Sequence, residues 1–100
     1  MHQLITILGS TGSIGANSLD VVSQHPDHFK IFALTANVQY EALANQCLKH
    51  EPRFAVMVEP KSAQKLKSLL QSKGSRTEVL CGAEDLNKVA QEPTVDAVIA

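Results

Sequence analysis

The feature that most constrains this chain is the run Gly9-Ser10-Thr11-Gly12-Ser13-Ile14-Gly15, with glycines at every third position. It stands between an apolar stretch, Leu4 to Leu8, and a helix-like stretch, Ser13 to His25. A strand that turns sharply into a helix leaves the first helical N–H groups unpaired and pointing outward. Together with the positive end of the helix dipole, they form a site for phosphate. Each glycine has its own expected task. Gly9 lets the chain leave the strand in a tight turn, Gly12 lets a pyrophosphate approach the backbone, and Gly15 lets the helix pack closely on the strand. This placement makes a weak glycine pattern into a dinucleotide-binding signature. The bland alternative is a strand-to-helix turn with no ligand. No Gly-Lys-Ser/Thr follows, which excludes the phosphate loop of nucleoside triphosphatases, and Ser13 lies one place off the frame of a nucleophile elbow.

Strand and helix patterns then alternate to the end. Strands are expected over Leu4 to Leu8, Phe29 to Thr35, Phe54 to Val58, Glu78 to Cys81 and Val95 to Ala100, and helices over Ser13 to Gln24, Tyr40 to His50, Pro60 to Leu70 and Glu84 to Gln91. His25-Pro26 and Glu51-Pro52 close the first two helices, and Gly74 stops the third. Tyr40, Leu43, Ala44, Cys47 and Leu48 make one apolar face. Ala63, Leu66, Leu69 and Leu70 make another. Lys61, Lys65 and Lys67 read as a solvated helix face rather than an anion site. Strands joined by helices of this length predict an α/β fold, a Rossmann-like parallel sheet with helices on both faces. The first strand is expected at the centre, with the next three stepping out on one side and the fifth returning on the other. Val95 to Ala100 reads as a buried strand with no turn signal after it, which predicts an amino-terminal portion of a longer protein, truncated after the fifth strand.

Composition narrows the function. With 100 residues the chain fits one domain or part of one, and a net charge of −1 gives no reason to expect nucleic acid or an anionic membrane. No apolar run approaches the roughly 18 residues of a membrane span. The first residues are too short and uncharged for a signal peptide. Cys47 and Cys81 suggest no disulfide framework, so a cytoplasmic protein with reduced thiols is expected.

The segment Leu34-Thr35-Ala36-Asn37-Val38-Gln39 occupies the place where NAD-binding folds carry an acid for the ribose hydroxyls. It holds no carboxylate before Glu41, which favours NADP. It also holds no Arg or Lys for the extra phosphate, leaving Thr35, Asn37 and Gln39 as neutral donors. Other candidates read as structural. Pro26 breaks the helix that would align His25 and His28, Cys47 and His50 share ligand-like spacing on a packed helix, Cys81 ends a strand, and Asp20 lies on a solvated face.

Ile7 to Gly15, followed by Ser18-Leu19-Asp20-Val21-Val22, resembles the start of the 1-deoxy-D-xylulose 5-phosphate reductoisomerase family. Phe29 to Ala36, Gln46-Cys47-Leu48, Pro52 to Met57 and Thr77 to Gly82 are similar as well. The resemblance implies a bacterial or plastid enzyme of isoprenoid precursor synthesis. It rearranges and reduces 1-deoxy-D-xylulose 5-phosphate to 2-C-methyl-D-erythritol 4-phosphate with NADPH and a divalent Mg or Mn. It also implies that Thr11, Gly12, Ser13 and Ile14 contact the cofactor phosphates. Asn37-Val38-Gln39 aligns with a Gly-Lys-Asn-like turn of the family, with Val38 replacing the basic residue, so Asn37 and Gln39 are the remaining cofactor candidates there. The family's metal-binding Asp-x-Glu, substrate-phosphate residues and mobile loop lie beyond Ala100. The resemblance therefore implies that residues 1–100 are inactive alone, within a parent expected to be a homodimer. Two other readings are another Rossmann oxidoreductase, such as a semialdehyde dehydrogenase with a later nucleophilic Cys, and a non-catalytic nucleotide- or CoA-binding module.

Overall fold

A computed structural model describes residues 2–100. The apolar and β-branched runs form five strands: β1 Gln3–Ile7, β2 Phe29–Ala36, β3 Phe54–Met57, β4 Glu78–Cys81 and β5 Ala97–Ile99. Four helices connect them: α1 Ser13–Ser23, α2 Tyr40–His50, α3 Pro60–Ser72 and α4 Gly82–Ala90. All strand pairs are parallel, in the order β4-β3-β2-β1-β5. The reversal expected next to the first strand is therefore present. Strands β1 to β4 step in one direction, so α1, α2 and α3 share one face of the sheet, and the return to β5 sends α4 to the other.

Two apolar clusters follow from this arrangement. On the three-helix face, Leu19 and Val22 of α1, Leu43, Ala44 and Cys47 of α2, and Ala63, Leu66 and Leu70 of α3 pack on Ile5, Ile7, Leu34, Ala55 and Met57. On the other face, Val89 and Leu86 of α4 pack on Phe32, Ala33, Val56 and Leu80. Strands covered on both sides read as unbroken apolar runs, which is why β2 is buried from Ile31 through Ala36.

The helix ends carry local reasons. Glu51 takes a left-handed conformation (φ 50°) after α2, and Gly74 does so (φ 72°) just past α3. Glu59 caps α3 by accepting from the amides of Lys61 at 3.2 Å and Ser62 at 3.1 Å, and from the Ser62 hydroxyl.

Several expectations need correction. Helix α3 runs two residues past Leu70, to Ser72. Helix α4 starts at Gly82 rather than Glu84, because a left-handed Gly82 (φ 93°) turns β4 directly into it. Leu48 is exposed: it lies one residue past Cys47, and the helical rotation carries it off the packed face. Strand β5 is shorter than expected, and Ala97 and Val98 are exposed rather than buried. It lies at the sheet edge and pairs with β1 alone. Asp96 pins its start, with a carboxylate oxygen accepting from the Leu4 amide at 2.7 Å.

Candidate functional site

The site is built where β1 leaves the sheet. Gly9 turns the chain with φ 66°, and the Gly12 amide closes the bend on the Gly9 carbonyl at 3.0 Å. The Ala16 amide donates to the Gly12 carbonyl at 2.8 Å, which makes Gly12 the N-cap of α1. The amides of Ser13, Ile14 and Gly15 therefore have no intrahelical partner. No side chain caps this end and no acid occupies its first turn. The other three helices differ: Glu59 caps α3, Glu41 stands in the first turn of α2, and Glu84 and Asp85 stand in that of α4. The dipole of α1 is thus left free to act on an external anion.

The three glycines separate by cause. A Cβ at Gly15 would stand 2.2 Å from the Gly9 carbonyl oxygen and 2.8 Å from the Ser10 Cα, so helix and strand can approach this closely only without one. Gly9 is required by its positive φ. Gly12 has ordinary extended backbone (φ −78°, ψ 171°), and a Cβ there would meet only the Gly9 oxygen, at 3.4 Å. The fold itself does not demand a glycine at position 12, whereas a ligand lying on the bend would.

Polar side chains hold the loop in shape. The Gly9 amide donates to Thr35 Oγ1 at 2.8 Å, and the Ser10 amide donates to the Thr35 carbonyl at 2.9 Å. The Ser10 hydroxyl donates to Gln46 Oε1 at 2.7 Å, while Gln46 Nε2 donates to the Ser10 carbonyl at 2.8 Å. Ser10 and Thr35 are both buried. These contacts fix the bend against the end of β2. The chain then runs two residues on from Thr35 to Asn37, so the two predicted segments meet at the carboxyl ends of β1 and β2. Gly12, Ser13, Asn37 and Gln39 are exposed there, Thr11 is half-buried, and Ile14 is 72% exposed. The sequence offers Thr35 as a neutral donor for the extra phosphate, but Thr35 is buried and its Oγ1 accepts from the Gly9 amide, so it holds the bend instead. The roles of Ser10 and Gln46 are not legible in the sequence as read above. Only the place of Gln46 beside the buried Cys47, on a polar flank of α2, marks it in the sequence.

Cys47 is fully buried, and burial pushes its thiol from an ordinary 9.0 to about 12. His50 is held below its usual value by burial and by Lys49, with Asp20 opposing. The rings of His25 and His28 each lie 6.3 Å from Phe29. Among the described residues, no three His, Cys, Asp or Glu side chains are grouped to hold a metal, and no helix is long and apolar enough to cross a membrane.

A sequence model of 1-deoxy-D-xylulose 5-phosphate reductoisomerase matches residues 5–100. The chain belongs to this family. The reductoisomerase of Aromatoleum aromaticum is 51% identical over 98 residues, covering 98% of this chain and 24% of its own length. That of Methylobacillus flagellatus is 49% identical over 100 residues, covering 100% and 25%. The chain therefore spans about a quarter of the length of these reductoisomerases. A solved reductoisomerase in complex with NADPH, fosmidomycin and magnesium superimposes with a TM-score of 0.90 at 32% identity, over 96% of this chain and 23% of that one. The Zymomonas mobilis reductoisomerase in complex with NADPH gives 0.85 at 34% identity, over 92% and 24%. These matches confirm the α/β, Rossmann-like fold.

Proposed function

We propose that this chain is the amino-terminal portion of the NADP-binding domain of a reductoisomerase and that it holds the phosphates of NADPH. The pyrophosphate rests on Thr11, Gly12, Ser13 and Ile14, and the adenosine ribose lies toward Asn37 and Gln39. The whole protein converts 1-deoxy-D-xylulose 5-phosphate to 2-C-methyl-D-erythritol 4-phosphate, and NADPH supplies the hydride when bound. The divalent metal of that reaction finds its ligands in parts of the protein beyond these residues, and the parent acts as a homodimer in the cytoplasm.

The observation that carries the cofactor reading is Gly12, a glycine at an uncapped helix start where neither φ nor packing requires one. The family membership supports it independently. Fluorescence titration of the full-length protein with NADPH, NADH and CoA tests it. Tight NADPH binding is expected, whereas preference for CoA would replace this reading with that of a non-catalytic nucleotide-binding module.

A further inference from the structure

We propose that Lys61, in the first turn of α3, supplies the positive charge for the 2′-phosphate of NADPH that the turn after β2 lacks. The proposal rests on the cofactor reading above. In dinucleotide folds this phosphate lies beyond the second strand and is accompanied there by a basic side chain. Here the turn offers Asn37, Val38 and Gln39, none of them charged, and Val38 is 48% exposed at its tip. A 2′-phosphate set there would face only neutral donors, which bind phosphate more weakly than a cation does.

The structure brings the next strand's exit against this turn. The Val58 amide donates to the Ala36 carbonyl at 3.1 Å, and the Glu59 amide donates to the Asn37 carbonyl at 3.3 Å. Lys61 follows two residues later. It lines a groove of about 910 Å³ between α2 and α3, together with Tyr40, Glu41, Gln64 and Lys65.

The three lysines that the sequence presents as one solvated face therefore have different surroundings. The Lys65 ammonium lies 5.4 Å from the centre of the Tyr40 ring, a cation–π contact that draws it toward α2. Lys67 does not line the groove. Lys61 is exposed and forms no ion pair among the described residues.

The nearby carboxylates have distinct places. Glu59 is turned onto α3, where it bonds the Lys61 and Ser62 amides and the Ser62 hydroxyl. Glu41 lines the same groove as Lys61. A phosphate dianion entering near Glu41 is opposed unless a cation stands beside it, and Lys61 is a cation of that groove that forms no ion pair among the described residues.

Titration of the full-length protein with NADPH and with NADH tests the assignment. Lys61→Ala is expected to weaken NADPH binding about tenfold or more while leaving NADH nearly unchanged. Lys67→Ala should change neither, and Val38→Lys added to Lys61→Ala should restore NADPH. Unchanged NADPH affinity in Lys61→Ala overturns the proposal. So does an equal loss for both cofactors, which marks a structural effect, and so does a wild-type protein that does not discriminate between them. A wild-type protein that binds neither nucleotide instead refutes the underlying cofactor reading.

Discussion

The side-chain amide of Gln46 brackets Ser10. It accepts from the serine hydroxyl at 2.7 Å and donates to the serine carbonyl at 2.8 Å, across 36 residues of sequence. The bend that presents the free amides of α1 is thereby tied to a second helix. A loop held by α2 as well as by β2 is ordered before any ligand arrives, so binding need not supply its ordering entropy.

Gln46→Leu removes both bonds, leaving the carbonyl of the buried Ser10 without its partner and its hydroxyl with only the 3.3 Å bond to the Thr35 carbonyl. Dinucleotide affinity of the full-length protein is expected to fall by about 1–2 kcal/mol. Fluorescence titration with NADPH measures this, and an unchanged dissociation constant would show that the bend holds its shape without α2.

Gly12 and Gly15 are three residues apart in sequence and predict opposite phenotypes. In Gly15→Ala the new methyl meets backbone atoms of Gly9 and Ser10 at 2.2 to 2.8 Å. The helix must shift away from β1, at a cost of about 3 kcal/mol. Urea unfolding of the variant reads the loss, and a midpoint equal to that of the parent would contradict the packing described.

In Gly12→Val the new Cβ meets only the Gly9 oxygen, at 3.4 Å. Its stability should fall by about 1 kcal/mol or less, as expected for a poorer N-cap residue. NADPH affinity should fall by about tenfold or more, because the side chain occupies the approach to the free amides. Retained affinity with an intact fold would move the pyrophosphate elsewhere.

Cys47 sets an alkaline limit. Its thiol is raised to about 12 by burial, against 9.0 for an ordinary cysteine. The unfolded chain therefore releases this proton first as pH rises. The stabilising contribution is complete below pH 9 and is lost progressively toward pH 12. Denaturant midpoints measured across that range should decline in the parent and decline less in Cys47→Ala. In the native protein the thiol should also resist iodoacetamide at pH 8, and rapid alkylation there would refute its burial.

How much could be read in advance depended on the range of the interaction. The bend at Gly9 to Gly15, the left-handed stops near Glu51 and Gly74, and the start of α3 at Pro60 are encoded within a few residues, since each depends on local backbone sterics or capping. Alternating strand and helix patterns, joined by short connections, set the strand order through chain geometry. Leu48 and β5 were misjudged because burial depends on what covers a residue, and that is not a property of the residue or its periodicity.

The sequence by itself therefore determined the alternation, the parallel sheet and the position of the uncapped helix start, because steric and hydrogen-bonding preferences act along the chain. Tertiary structure alone decided that Gln46 and Thr35 hold the bend, that a Cβ at Gly12 would meet only the Gly9 oxygen, and that the exit of β3, two residues before Lys61, bonds the turn at Asn37. Those relationships join segments 20 or more residues apart, or depend on the space around one Cβ. They come into being only when the helices are laid on the sheet.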